Sequence, residues 1–166
     1  MSELDSKQLV PLDLSPIPFK QDEGQRRSMH ALVQRWHQSL ESWHGPLRVP
    51  EREEFLATST EDFVLTSNGS TFIYGVDGYL KVTAEVVTAM INVTMSSVIL
   101  EVAENSAWMH DIHTWILPDG YKFASGRYGR LYRRKGEDRI CRWEILQTNP
   151  IETQEFFDTR YRYGRR

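Results

Sequence analysis

Between residues 22 and 43 the apolar positions Met29, Leu32, Val33, Trp36, Leu40 and Trp43 recur at intervals of three and four, with Gln25, Arg26, Arg35, Gln38 and Ser42 between them. That spacing gathers the apolar set on one side of a helix and the polar set on the other, so the segment is predicted as an amphipathic helix with one buried stripe. Gly45-Pro46 ends it. Residues 50–57 read as a short second helix, with proline at its start and Glu51, Glu53 and Glu54 in the first turn, where acids meet the positive helix end. Beyond Asp62 the pattern changes to short β-branched and aromatic runs. Residues 63–66 and 71–74 flank Asn68-Gly69, a dipeptide suited to a tight hairpin turn. Gly75-Val76-Asp77-Gly78 leads into a third helix over 79–90, carried by Leu80, Val87 and Met90. Residues 93–102, 107–117, 121–134 and 139–147 then read as an antiparallel sheet, joined by the turn-forming groups Glu104-Asn105, Pro118-Asp119-Gly120 and Gly136-Glu137-Asp138.

Helices first and a long, strongly bent sheet afterwards define an α+β domain in which about three N-terminal helices cover one sheet face. A curled sheet closed by helices leaves a conical cavity, a usual place for a small ligand. The domain spans 22–148. Residues 1–21, with Pro11, Pro16 and Pro18 and no periodicity, read as an extended arm. Residues 149–166 mix Phe156, Phe157, Tyr161 and Tyr163 with Arg160, Arg162, Arg165 and Arg166 and read as a tail or docked flap.

Composition narrows the function classes. The 166 residues fit one core, and a 40% apolar fraction with five Trp, seven Tyr and seven Phe excludes a disordered chain. A net charge of −3 supplies no field for nucleic acid or anionic lipid, so the tail arginines suit a lid or an inter-subunit contact better than a phosphate backbone. No apolar run approaches the roughly 18 residues of a membrane span, and the opening residues lack a leader's basic start and apolar stretch, so a cytoplasmic protein without a membrane partner is expected. The single Cys141 permits neither an internal disulfide nor a multi-thiolate metal site. No Gly-rich phosphate loop and no Gly-x-Ser-x-Gly elbow occurs, and no cofactor is expected.

The densest chemistry lies in the strand over 107–115. Period-two geometry puts Met109, Asp111, His113 and Trp115 on one face and Trp108, His110, Ile112 and Thr114 on the other. Asp111 and His113 therefore lie side by side, bracketed by Met109 and Trp115. Inside a cavity, burial would lower the histidine's pKa and raise the carboxyl's, bringing both toward neutrality for acid-base work. The same two residues also suit a solvated surface or a dimer interface. His110 and His113 point to opposite faces and no third ligand accompanies them, so no metal site is expected. On the first helix His37 lies beside Val33 and Leu40, next to Trp36, where it can reach toward the cavity.

The order of these elements resembles the SnoaL-like branch of the nuclear transport factor 2-like superfamily over residues 22–148. The resemblance is carried by the first helix ending in Trp43, Gly75-Val76-Asp77-Gly78-Tyr79-Leu80, Gly126-Arg127-Tyr128-Gly129-Arg130-Leu131-Tyr132-Arg133-Arg134 and Arg142-Trp143-Glu144-Ile145. It implies a cone-shaped α+β barrel, homodimers formed through the open sheet face, and a hydrophobic pocket with one or two acid-base residues. Polyketide cyclases, scytalone dehydratase, isomerases and dehydrochlorinases share this family with proteins that only bind or scaffold. The resemblance also implies that Ala107 turns inward, with the parity of Asp111 and His113. By the same likeness Gly126, Tyr128, Arg130 and Tyr132 point inward, and Tyr74 reaches the pocket. Arg130 stands where related sequences often carry an acid. It can steady a developing oxyanion or pair with Asp111 or Glu144, but it cannot act as a base. Scytalone dehydratase's Tyr-Asp pair is replaced by Gln38-Ser39, and its strand histidine by Asn92 and Thr94, which argues against that particular dehydration machinery.

The expectation is a cofactor-independent isomerase, cyclase or lyase acting on a hydrophobic oxygenated small molecule of polyketide or terpenoid type, as in secondary metabolite biosynthesis. His113, Asp111 and Arg130 would be catalytic. Tyr128, Tyr74, His37, Trp36, Trp115 and Met109 would bind substrate. The other class compatible with these residues is a non-catalytic ligand-binding or dimeric interaction module.

Overall fold

A computed structural model describes residues 21–90 and 92–161. The predicted arm over 1–21 lies almost wholly outside the described residues, as does the end of the tail.

Helix α1 (Glu23–His44) begins where the Asp22 carboxylate accepts the Gln25 backbone N–H at 3.1 Å, and its buried residues are the predicted stripe, Met29 through Trp43. Helix α2 (Arg52–Leu56) starts with a reciprocal cap between Glu51 and Glu54. Strands β1 (Ser59–Ser67) and β2 (Ser70–Tyr74) form the expected hairpin, with Asn68 and Gly69 both at positive φ (48° and 84°), the geometry that a two-residue turn demands. Helix α3 (Gly75–Ala89) starts four residues before the predicted 79, because Gly75 at φ 71° turns the chain from strand directly into helix. Strands β3 (Asn92–Val102), β4 (Ser106–Ile116), β5 (Lys122–Arg133) and β6 (Ile140–Gln147) follow, and the tail folds as α4 (Pro150–Glu155) and a π-helical turn (Phe156–Tyr161).

The six strands make one curved, unclosed sheet in the order β2-β1-β6-β5-β4-β3. The α+β reading holds. Four of the five strand pairings are antiparallel, while β1 lies parallel to β6. Helices cover the concave face, where Trp36 meets Trp143 edge-on at 4.8 Å and Phe55 stacks on Tyr79 at 4.4 Å. A second apolar cluster joins the end of α3 to β3 and β4 through Ala89, Met90, Val93, Trp115 and Leu117, and it receives Phe156 from the tail. Phe156 lies nearly parallel to Phe123 at 4.6 Å, which fastens the end of the described chain to the sheet.

Candidate active site

Alternation along β4 buries Ala107, Met109, Asp111, His113 and Trp115 and leaves His110 and Ile112 on the outer face. Asp111 and His113 both point to the concave side, the arrangement that their shared parity predicts. They do not pair with each other. The register sets Asp111 opposite Arg127 of β5, so the two side chains are cross-strand neighbours on the inner face. Arg127 Nε donates to Asp111 Oδ1 at 2.6 Å with both groups buried. The guanidinium also lies 4.9 Å above the Trp143 ring.

This register corrects the expected direction of β5. Its inward set is Ser125, Arg127, Gly129, Leu131 and Arg133, one residue out of phase with the set that the resemblance implied. Tyr128 is 44% exposed on the outer face, tilted against His110. Arg130 also lies on that face, over the rings of Trp108 and Tyr132, and donates to Ser106 Oγ at 3.2 Å. It pairs with neither Asp111 nor Glu144; Arg127 takes the first, and Arg142 with Tyr132 takes the second. The likeness did not carry the register over to this strand, and the two arginines in the inner set hide the buried phase from the pattern of apolar residues. Leu131 is the position that marks the buried phase.

The cavity occupies about 720 Å³ between the sheet, α1, α3 and the tail. Its inner part is lined by half-buried His44 and by buried Tyr79, His113, Arg127 and Trp143, and its walls by Leu65, Ile73, Val82, Val93, Trp115 and Ile145. Ser70, Thr71 and Phe72 of β2 and Gln154 and Phe157 of the tail form its more exposed rim. Of the predicted binding residues, Trp115 lines this space. Met109 and Trp36 are packed into the core instead. The His37 ring meets Ser97 Oγ at 2.9 Å, between α1 and β3, and Tyr74 is 71% exposed at the start of α3. Neither is among the residues lining the cavity.

His44 and Arg127 are the site residues that the sequence reading missed. His44 follows Trp43 at the end of α1 and stands seven positions after His37, a spacing that keeps it on the same helix flank. Its ring lies 5.4 Å from that of His113, which is also edge-on to Trp115 at 5.0 Å. Neither nitrogen of His113 meets a hydrogen-bond partner, and His44 Nδ1 is likewise buried and unpartnered.

The electrostatics keep both rings neutral. Burial, then the Arg127 charge, then His44 drive the His113 pKa well below the ordinary histidine value. Burial, Arg127 and His37 lower His44 to about 4. Burial pushes Tyr79 up to about 12, so its phenol stays protonated, and Trp43 Nε1 donates to that hydroxyl at 3.3 Å. Burial also lowers Arg127, opposed by Asp111, and a guanidinium so paired retains its charge near neutral pH. The inner part of the cavity thus presents two uncharged imidazoles, a neutral phenol and a cation neutralised from behind, while Glu85 and Asp158 also stand on the lining. Among the described residues no cluster of three or more His, Cys, Asp or Glu is placed to hold a metal.

No family model matches the chain, and no curated protein matches it by sequence. Solved structures do match. A SnoaL-like polyketide cyclase from Jannaschia sp. CCS1 superposes with a TM-score of 0.62 at 10% identity, covering 80% of this chain and 94% of the other. Such likeness shows the fold, which this chain shares with proteins named SnoaL-like and NTF2-like. The BvnE pinacolase from Penicillium brevicompactum gives a TM-score of 0.63 at 10% identity over 81% of this chain and 92% of that one. A type 2 hexachlorocyclohexane dehydrochlorinase gives 0.57 at 12% identity over 76% and 90%. The concave face of the sheet carries the cavity, with His113 and Arg127 on its lining and Asp111 behind Arg127. No helix among the described residues is long and apolar enough to cross a membrane.

Proposed function

We propose that the protein is an enzyme that moves a proton on a hydrophobic, oxygenated small molecule, of polyketide or terpenoid type, by cyclisation, isomerisation or elimination without a cofactor. One observation carries the reading: His113 is buried at the cavity wall with both ring nitrogens unpartnered, and its lone pair is kept free by burial and by Arg127. An unsatisfied buried polar group is costly, and a site that binds a ligand is where such a cost is tolerated. The names of structurally similar proteins, a cyclase, a pinacolase and a dehydrochlorinase, support small-molecule chemistry in such a cavity.

His113 takes the proton. The Arg127 charge, held in place by Asp111, steadies the oxygen that gains electron density, and Trp115 with the aliphatic walls excludes water. Asp111 is a positioning residue, since its carboxylate is engaged by Arg127 and does not line the cavity.

The test is hydrogen-deuterium exchange next to the carbonyl of enolisable hydrophobic ketones, 2-tetralone first, followed by NMR in D2O, with binding read from quenching of Trp115 and Trp143 fluorescence. The enzyme reading expects accelerated exchange that His113→Ala abolishes while the fold and the affinity survive. Ketones that bind without accelerated exchange would instead favour the non-catalytic binding module.

A second copy is the partner we propose. Val98, His110, Tyr128 and Leu146 align across four strands on the outer face, and Val98, Tyr128 and Leu146 are 59%, 44% and 52% exposed. Three exposed apolar side chains in one row, with a single imidazole among them, suit self-association.

A further inference from the structure

We infer that His44 is the second working group of this cavity, a neutral hydrogen-bond donor to the substrate oxygen while His113 removes the proton. The inference rests on the acid-base reading above. It starts from the pairing of the two rings: they come from different elements, the end of α1 and the middle of β4, and meet 5.4 Å apart at 61° on the wall of one cavity. Each carries a buried nitrogen without a partner. A neutral imidazole has one N–H donor and one lone pair, so two adjacent neutral rings divide the tasks of base and donor between them.

Two other donors line the same cavity, and each is anchored on a neighbouring side chain. Arg127 spends Nε on Asp111 and aims Nη2 at Met95 Sδ, 3.8 Å away, so its place is fixed by that pairing and it adds its charge beside the His44 donor. The Tyr79 hydroxyl accepts from Trp43, and its ring is clasped by Phe55 and Phe63. His44 faces His113 from β4, Arg127 from β5 and His37 from its own helix, and the influences on its charge are burial, Arg127 and His37, all of which favour the neutral ring. In the step, the C–H bond beside the carbonyl breaks, its electron pair forms the C=C bond of an enolate, and the displaced π pair moves to oxygen. The proton sits on His113, exchanges there with solvent, and His113 then delivers a deuteron from D2O back to carbon. His44 keeps its proton throughout and shares it with the oxygen.

Glutamine separates donor from base, since its amide supplies an N–H but cannot take up a proton near neutral pH. Using 2-tetralone exchange in D2O, His44→Phe is expected to slow exchange by about 100-fold with quenching affinity within about threefold, the size typical of losing one oxyanion donor. His44→Gln should recover at least a tenth of the wild-type rate, whereas His113→Gln should recover none. Wild-type exchange in His44→Phe overturns the inference and leaves the His113 reading standing. Equal loss in His44→Phe and His44→Gln, with both variants folded by circular dichroism, also overturns it. Absence of exchange in the wild-type protein on every ketone that it binds overturns the acid-base reading, and this inference with it.

Discussion

Arg127 and Asp111 form a buried ion pair, Nε to Oδ1 at 2.6 Å, directly across the β4–β5 ladder. The pair explains why Asp111 does not orient His113: the carboxylate is already engaged by the only formal positive charge on the cavity's lining among the described residues. Removing one partner of such a pair strands the other in low dielectric. Asp111→Ala is therefore expected to destabilise the fold by about 3–5 kcal/mol in urea denaturation. Replacing both, Asp111→Leu with Arg127→Met, should restore most of that loss while abolishing exchange on 2-tetralone.

Proton linkage gives a second prediction. His44 is lowered to about 4 in the fold, so in the interval between that value and about 6.5 the unfolded chain binds a proton that the folded chain refuses. Stability must then rise with pH through this window and fall as pH drops from about 7 toward 4. Lowering pH from 8 to 5 should cost about 2 kcal/mol through His44 alone, from the linkage relation applied to that shift. His113, shifted in the same direction, steepens the slope. Denaturation at the two pH values in wild type and His44→Gln reads the difference, and equal slopes would remove the case for a buried neutral His44.

Gly129 is a packing constraint on the site. A Cβ there would sit 2.6 Å from Trp143 Nε1, against a ring that is itself pressed by Trp36 and Arg127. Gly129→Ala should lower stability by about 1–3 kcal/mol through overpacking and shift the tryptophan fluorescence, because the new Cβ must displace the Trp143 ring from its contacts with Trp36 and Arg127.

The face assignment of β5 separates two neighbouring arginines. Arg130→Ala, on the outer face, should leave ketone exchange and binding within about twofold of wild type, since its removal exposes only surface rings. Arg127→Gln should slow exchange by at least about tenfold, the effect of losing a preorganised charge near the reacting oxygen. Parallel rates for the two variants would return Arg130 to the site.

Self-association through the outer row predicts that Val98→Glu combined with Leu146→Glu converts a dimer to a monomer in light scattering, with ketone exchange retained. A monomeric wild-type protein at high concentration would dispose of the second copy as its partner.

Much of the fold was legible because its signals are local. The α1 stripe, the Asn68-Gly69 turn and the β4 alternation each depend on the period of a single element, and each appears where the pattern puts it. The parallel placement of β1 beside β6 was not legible, since nothing within either strand encodes which edge it will meet. The site was legible in proportion. Asp111, His113 and Trp115 follow from one strand's parity, whereas the inward set that the resemblance implied for β5 is one residue out, and Arg127 and Arg133 on the true inner face hide the buried phase.

By itself the sequence determined the elements, the side of α1 that is buried and the face of β4 that carries an acid and a histidine, since neighbouring residues impose those through backbone geometry. Only the tertiary structure decided which groups meet. The cross-strand register gave Asp111 to Arg127, and the packing of the end of α1 against β4 brought His44 to His113. Those pairings depend on the relative placement of distant segments, which the curvature of the sheet and the filling of its concave face control.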